Sequence, residues 1–287
     1  MNVELKQQTV VVSTIDDMKK ISDSFRGRTL GLVPTMGYLH DGHMSLVKQS
    51  METCDHTVVS IFVNPRQFSP NEDLAIYPHD LSGDLEKLES AGVDVLFNPS
   101  SKAVYPNDFK THIEVKGITD HLCGKSRPNL FKGVATVVLK LFNIVRPQHA
   151  FFGEKDWQQL AVIEKMTRDL NMDVQINRVP LMREPDGLAM SSRNSNLSPE
   201  ERMKALSLSR SLKNSKERIR QGIISSKQLR QNIVNIVTAE LGTQIDYISI
   251  CDPLSLEEKE EVKGRTLIAL AVKIGSARLI DNCIIED

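Results

Sequence analysis

Alternating apolar and helix-like segments fill the first 180 residues, and they restrict the fold more than any other feature. The alternation predicts strands at 10–12, 29–33, 57–63, 93–97, 149–152 and 174–179, and helices at 14–25, 45–54, 80–91, 133–145 and 156–170. Segment 57–63 is almost wholly apolar, as expected for a strand that is covered on both faces. The pattern therefore favours an α/β fold, a Rossmann-like doubly wound parallel sheet whose ligands bind at the carboxyl ends of the strands.

The pattern changes near residue 183. Ser198 and Pro199 are a typical N-cap and first residue for a long helix, and a second helix is predicted at 226–241. Three strand-like segments follow, at 245–250, 266–272 and 278–284. Helices followed by strands favour a smaller C-terminal α+β domain, so we expect domains at 1–182 and 183–287.

Composition excludes several classes of protein. Of the 287 residues 40% are hydrophobic and the net charge is −1, so bulk charge indicates neither a nucleic-acid partner nor a membrane partner. No segment approaches the roughly 20 apolar residues of a membrane span. The four cysteines are widely spaced without a C-x-x-C pair, as in reduced thiols of a cytoplasmic protein.

The segment from Pro34 to His43 places a glycine-containing turn with two histidines between a predicted strand and helix. Such a turn binds phosphate groups in open α/β folds, and Gly37 and Gly42 allow close approach of a ligand. His40 and His43 are three residues apart, and their imidazoles can stabilise charge on a departing pyrophosphate. The alternatives are a solvated loop or a zinc site, although zinc needs three or four ligands.

This segment resembles the H-x-G-H signature of the nucleotidyltransferase superfamily, and the whole string is similar to that of the pantothenate synthetases. The resemblance implies catalytic roles for His40 and His43. It also implies that the entire string contacts ATP, namely Pro34, Thr35, Met36, Gly37, Tyr38, Leu39, His40, Asp41, Gly42 and His43.

Asn64 and Gln67 follow the predicted strand at 57–63. Their amides can recognise hydroxyl groups and a carboxylate, and the alternative is a simple Asn-Pro turn. The segment is similar to the N-P-x-Q-F motif of the same family. That resemblance implies that both residues line the pocket for pantoate and β-alanine.

The segment that follows strand 149–152 begins with Gly153, Glu154, Lys155 and Asp156. A lysine at a helix start is unfavourable for the helix dipole, which indicates an anionic ligand; a solvated Lys-Asp pair is the alternative. The string resembles the family's G-E-K-D-x-Q-Q motif. By that resemblance these four residues contact ATP, Lys155 is catalytic, and Gln159 binds pantoate.

Met190-Ser191-Ser192-Arg193-Asn194 forms a polar loop just past the expected boundary. Two hydroxyls and a guanidinium suit phosphate recognition, and a plain interdomain loop is the alternative. The loop resembles the family's mobile M-S-S-R-N loop. The resemblance implies catalytic roles for Ser191, Ser192 and Arg193, further ATP contacts from Met182 and Met190, and a lid role for domain 183–287.

Segment 126–134 is similar to the family's S-R-P-x-x-F-x-G-V stretch, which makes Arg127 a candidate contact for the acid substrates. It departs from the commoner pattern because Asn129-Leu130 replaces Gly-His.

Asp84 is a candidate magnesium ligand, and a solvated helix-face carboxylate is the alternative. Gly124-Lys125-Ser126 lacks the strand-loop-helix context of a P-loop.

Matching motifs occur in the family's order over residues 34–194. The resemblance implies condensation of pantoate with β-alanine through a pantoyl-adenylate, with ATP as substrate, Mg²⁺ held mainly by ATP phosphates, and a homodimer. A related nucleotidyltransferase acting on another small acid or phosphate remains an alternative. A non-catalytic ATP sensor is the hypothesis from another class.

Overall fold

The computed structural model describes residues 8–68, 74 and 77–286, which form two compact units. Of the described residues, unit 1 comprises those up to Val115 together with Arg127–Glu154 and Val162–Pro180. Unit 2 comprises Lys116–Ser126, Lys155–Ala161 and the described residues from Leu181 onward. The long segment of unit 2 begins at Leu181, close to the expected domain boundary. Two earlier segments of the chain, Lys116–Ser126 and Lys155–Ala161, also belong to unit 2. The division into domains 1–182 and 183–287 therefore stays a prediction.

Unit 1 contains a six-stranded, entirely parallel sheet in the order β1-β4-β3-β2-β5-β6. The strands are β1 (Val10–Val12), β2 (Leu30–Thr35), β3 (His56–Ile61), β4 (Val95–Phe97), β5 (His149–Gly153) and β6 (Gln175–Val179). The helices that begin in this unit or connect its strands are α1 (Ile15–Ser24), α2 (Asp41–Thr53), α3 (Leu81–Ala91), α4 (Ser101–Val104), α6 (Leu130–Val145) and α7 (Trp157–Asp169). The predicted doubly wound parallel sheet is confirmed.

The strand order places a topological switch point between β2 and β5. From β2 the chain adds β3 and β4 on one side, and β5 and β6 extend the sheet on the other. Ligands of such sheets bind at the carboxyl ends of the strands that flank the switch. Thr35 ends β2 and Gly153 ends β5, so two of the predicted motifs begin at this position.

The core of unit 1 consists of aliphatic side chains from the strands and from one face of the flanking helices. Val33, Val59, Leu88, Leu96 and Phe151 are fully buried in one cluster. Burying a large aliphatic or aromatic side chain is worth roughly 1.5–3 kcal/mol, so this cluster fixes the sheet that carries the strand ends.

Unit 2 combines two long helices with an antiparallel sheet in the order β7-β8-β9. Its elements are α5 (Leu122–Ser126), α8 (Pro199–Arg220), α9 (Ser226–Thr238), β7 (Thr243–Cys251), β8 (Thr266–Ile274) and β9 (Ala277–Ile285). The predicted cap of α8 is confirmed, since Ser198 accepts from the Glu201 N–H and Pro199 is the first helical residue. The predicted small α+β arrangement of the C-terminal third is confirmed.

The start of helix α2 differs from the sequence prediction. Helix α2 begins at Asp41, four residues earlier than the expected start at residue 45. His40 is therefore its N-cap and His43 lies in its first turn.

Within the described part of the chain, no helix has both the length and the apolar character required to cross a membrane.

Candidate active site

The loop after β2 is held by a buried carboxylate on α3. Asp84 is 1% exposed, and its two oxygens accept the backbone N–H groups of Tyr38 at 2.7 Å and Leu39 at 2.6 Å. Lys87, one turn further along α3, donates to the Leu39 carbonyl at 2.6 Å. Gly37 and Tyr38 have φ of 82° and 54°, and the second value is uncommon for a residue with a side chain. Helix α3 thus stabilises a loop conformation that is unfavourable on its own.

The environment of Asp84 differs from the solvated helix-face carboxylate that was the alternative interpretation. Its carboxylate is buried rather than solvated, and both oxygens bind backbone N–H groups. Among the described residues, no group of three or more His, Cys, Asp or Glu side chains is placed to hold a metal ion. Asp84 as a magnesium ligand stays a prediction, while its contacts show that it holds the loop.

The two histidines form the cap of α2. His40 Nδ1 accepts the Gly42 N–H at 3.1 Å, and His43 Nδ1 accepts the His40 N–H at 3.4 Å. The rings lie against one another with centroids 4.0 Å apart. A neutral imidazole that accepts at Nδ1 carries its proton on Nε2. Both rings can therefore donate from Nε2 at a helix N-terminus, where the dipole favours an anion.

Asn64, just past β3, organises the segment that carries Gln67. Its Nδ2 donates to Gln67 Oε1 at 2.9 Å and to the Gly133 carbonyl at 3.1 Å. Its Oδ1 accepts from the Tyr105 hydroxyl at 3.0 Å, and burial raises the pKa of Tyr105 to about 12, which keeps that phenol a donor. Because Gln67 Oε1 is directed toward Asn64, the Gln67 Nε2 group points away from it. These contacts orient the amide that the sequence assigns to the acid substrates.

Arg127 and the start of α6 support the same segment. Arg127 donates to the Gln67 carbonyl at 3.1 Å. Gly133 approaches so closely that a Cβ there would lie 2.3 Å from the Arg66 carbonyl oxygen. Asn129, which replaces the family's usual glycine, is the N-cap of α6 without a side-chain capping bond. Arg127 and Gln67 are thus brought together in unit 1.

The end of β5 is open. A Cβ on Gly153 would have no heavy atom within 4 Å, apart from its chain neighbours, and Glu154 begins a short 3-10 turn. A ligand can approach this backbone without displacing a side chain.

The motif that begins at Gly153 continues in unit 2 from Lys155 onward. Lys155 Nζ lies 3.8 Å from Asp156 Oδ2, with the side chains 21% and 48% exposed. Gln158 is 4% exposed and binds backbone atoms of Ile118, His121 and Cys123. The neighbouring Gln159 is half-buried, so it is the glutamine of this pair that remains accessible to a ligand.

The loop from Met182 to Asn194 is folded back on itself within unit 2. The Met190 N–H donates to the Met182 carbonyl at 3.0 Å, and Asn194 Nδ2 donates to the Ala189 carbonyl at 3.0 Å. Ser191 Oγ accepts the Arg193 N–H at 3.3 Å and begins a 3-10 turn. Ser192 is 8% exposed. The predicted roles of these side chains in ATP binding stay predictions.

Sequence reasoning missed two groups of supporting residues. Lys87 gave no signal, because its contact is with a carbonyl 48 residues away. Asp281 and Asn282 of β9 were missed because the C-terminal third carries none of the motifs that resemble the family. Asp281 is 2% exposed and Asn282 is 7% exposed, and consecutive polar residues inside an apolar strand segment were the available signal.

Comparison with known proteins gives one consistent result. A family model described as Pantoate-beta-alanine ligase matches residues 10–284. The pantothenate synthetase of Acetivibrio thermocellus is 55% identical over 278 residues, which cover 96% of this chain and 99% of that protein.

Solved structures agree with the sequence relatives. A pantothenate synthetase from Thermus thermophilus has a TM-score of 0.93 and 41% identity, covering 97% of this chain and 100% of that one. A pantoate-beta-alanine ligase from Francisella tularensis, described as complexed with beta-gamma ATP and beta-alanine, has a TM-score of 0.78 and 38% identity. That match covers 96% of this chain and 97% of that one.

Proposed function

Because the chain belongs to the pantoate-beta-alanine ligase family, we propose that it condenses (R)-pantoate with β-alanine, coupled to cleavage of ATP. The products are pantothenate, AMP and pyrophosphate, and the intermediate is a pantoyl-adenylate. The match over nearly the whole chain favours this ligase over a related nucleotidyltransferase that acts on another acid or phosphate.

The observation that carries the proposal is the paired-imidazole cap of α2. Two Nδ1 atoms accept backbone N–H groups, so each ring carries its proton on Nε2 beside a helix N-terminus. This arrangement suits the negative charge that accumulates on the β- and γ-phosphates when pyrophosphate leaves. A simple nucleotide sensor needs no donors directed at a leaving group.

In the first step, a pantoate carboxylate oxygen attacks the α-phosphorus of ATP. The new O–P bond forms as the bond to the β-phosphate oxygen breaks, and pyrophosphate departs with the electron pair. We assign His40, His43 and Lys155 to the departing phosphates, together with Ser191, Ser192 and Arg193. The remaining ATP contacts are assigned to Pro34, Thr35, Met36, Gly37, Tyr38, Leu39, Asp41, Gly42, Gly153, Glu154, Asp156, Met182 and Met190.

In the second step, the β-alanine amine attacks the acyl carbon of the adenylate. The C–N bond forms, the C–O bond to AMP breaks, and the nitrogen loses a proton. Gln67, Gln159, Arg127 and Asn64 are assigned to pantoate and β-alanine. Since no protein residue forms a covalent bond, positioning supplies much of the rate.

Magnesium fits this scheme as part of the nucleotide. Mg²⁺ is commonly held by substrate phosphates with one or two carboxylates and several waters, so it needs no protein cluster. When bound, it neutralises phosphate charge. The described residues offer Asp84 as the assigned carboxylate, and that carboxylate already binds two backbone N–H groups.

We further propose a cytoplasmic homodimer. The four cysteines are free thiols, as is usual in a reducing compartment. Sedimentation of the purified protein tests the dimer, since a monomer at micromolar concentration would contradict it.

The test of the proposed function is pyrophosphate release from MgATP and pantoate, with and without β-alanine. We expect limited release with pantoate alone and multiple turnovers once β-alanine is added. His43→Ala should lower the adenylation rate about 10²–10³-fold, as removal of one charge-stabilising donor does. His149→Ala, at the opposite end of the sheet at the start of β5, is the matched control.

Binding of ATP without pantoate-dependent release would instead support the sensor hypothesis. A wild-type release rate in folded His43→Ala would contradict the role assigned to the imidazole pair.

A further inference from the structure

The backbone of Lys155 is held by the last strand of the chain. Asn282 lies in β9, is 7% exposed, and donates from Nδ2 to the Lys155 carbonyl oxygen at 2.9 Å. Both residues belong to unit 2, although Lys155 follows the end of β5 closely in sequence. The residue assigned to the phosphates is thus attached to an element 127 positions away.

Asn282 is itself fixed by an ion pair whose carboxylate is buried. Its backbone N–H donates to Asp281 Oδ1 at 2.7 Å. Asp281 is 2% exposed and accepts two bonds from Arg183, at 2.7 and 2.9 Å. Lys155 is near enough to act electrostatically on the same carboxylate. A bidentate Arg-carboxylate pair has a defined geometry, so the strand at Asn282 has little freedom.

The residues after Lys155 are anchored as well. Trp157 is 3% exposed and donates from Nε1 to the Pro253 carbonyl at 2.8 Å. Gln158 binds three backbone atoms of the segment 118–123. The backbone around Lys155 is therefore rigid on its C-terminal side, and Asn282 supplies the bond at Lys155 itself.

We propose that Asn282 is a positioning residue for Lys155, whose backbone it holds so that the ammonium group reaches the ATP phosphates. The inference rests on the proposed function, because it requires Lys155 to bind phosphate. A lysine side chain has four rotatable bonds and loses much rotamer entropy when it is ordered. Fixing the backbone of Lys155 reduces the volume that its ammonium group can sample. A displacement of about 1 Å in such a site can lower the rate about 10²-fold.

Two substitutions separate the hydrogen bond from the shape of the side chain. Asn282→Ala removes the amide, and Asn282→Asp keeps its shape but places an acceptor against the Lys155 carbonyl. We expect each to lower the rate of pantoate-dependent pyrophosphate release about 10- to 100-fold and to weaken MgATP binding. The KM for β-alanine should be unchanged. Ser249→Ala is the matched control, since Ser249 is also buried in the same sheet and binds Glu258.

A double-mutant cycle distinguishes positioning from a general structural effect. The dissociation constant of MgATP is measured without pantoate for wild type, Asn282→Ala, Lys155→Ala and the double variant. If Asn282 acts through Lys155, the double variant binds MgATP as Lys155→Ala does. If the two losses multiply, Asn282 acts elsewhere and the inference is wrong.

The outcomes for the inference and for the proposed function are separable. Wild-type rates and MgATP affinity in both Asn282 variants would overturn the inference alone. If wild type released no pyrophosphate with pantoate, the proposed function would fail, yet the MgATP cycle would still decide the role of Asn282. Should Asn282→Ala fail to fold, Asn282→Asp takes its place in the double-mutant cycle with Lys155→Ala.

Discussion

Replacing Asp84 by asparagine tests whether α3 determines the conformation of the loop after β2, which we propose to bind the ATP phosphates. Asp84→Asn keeps the shape of the side chain but turns one oxygen into an N–H₂ group that faces a backbone N–H. One of the bonds to Tyr38 and Leu39 is then lost, and a buried donor is left without its acceptor. A hydrogen bond to a charged group is worth about 1.5–3 kcal/mol, so we take about 2 kcal/mol as the cost to this loop conformation.

That cost converts into a measurable rate. About 2 kcal/mol corresponds to roughly 30-fold in kcat/KM for MgATP, if the productive loop conformation becomes the minor one. The assay is pyrophosphate release over a range of MgATP concentrations, with a thermal melt to verify folding. Asp80→Asn is the control, because Asp80 caps the same helix by accepting the Gly83 N–H and lies outside the contacts that hold the loop.

Free magnesium separates the two roles of Asp84. If it positions the loop, the loss in kcat/KM for MgATP persists at saturating Mg²⁺. If it holds the metal, a higher Mg²⁺ concentration restores the rate. A folded Asp84→Asn enzyme with wild-type kcat/KM would refute the positioning argument altogether.

Two further predictions concern packing and alkaline stability. Gly133→Ala places a Cβ 2.3 Å from the Arg66 carbonyl oxygen, so we expect a lower melting temperature and a higher KM for pantoate; an unchanged KM would show that the segment at Arg66 tolerates the shift. Burial raises the pKa of Cys251 and Cys283 from 9.0 to about 12, so above pH 9 the unfolded chain releases protons that the folded chain retains. Stability should therefore fall by about 1.4 kcal/mol per pH unit for each thiol as pH rises through that window. Urea midpoints measured across it test this, and an equally steep decline after both cysteines are changed to alanine would contradict it.

Much of unit 1 could be predicted because its signals are local. Apolar strands such as 57–63 alternate with helices, and that alternation is typical of parallel sheets. Helix α2 begins four residues before the start that the sequence predicts, because histidine is not among the usual N-cap residues. Here two imidazoles perform the capping that serine or aspartate performs elsewhere.

The supporting contacts could not be predicted because they join positions far apart in sequence. Asp84 was singled out as a candidate magnesium ligand, whereas its bonds to Tyr38 and Leu39 join residues more than 40 positions apart. Asn282 of β9 donates to the carbonyl of Lys155, which lies 127 positions earlier in the chain. Neither contact follows from composition or periodicity.

The assignment of Lys155–Ala161 to unit 2 has a practical consequence for anyone who divides this protein. Trp157 is buried with Leu122, Cys251, Leu256, Leu267 and Ala269, of which only Leu122 precedes residue 182. A fragment that ends at residue 182 would keep the indole but lose most of the side chains that cover it, together with its acceptor at Pro253. Exposed aromatic surface of this kind promotes aggregation. We expect such a fragment to be insoluble, and a polar replacement for Trp157 should improve its solubility.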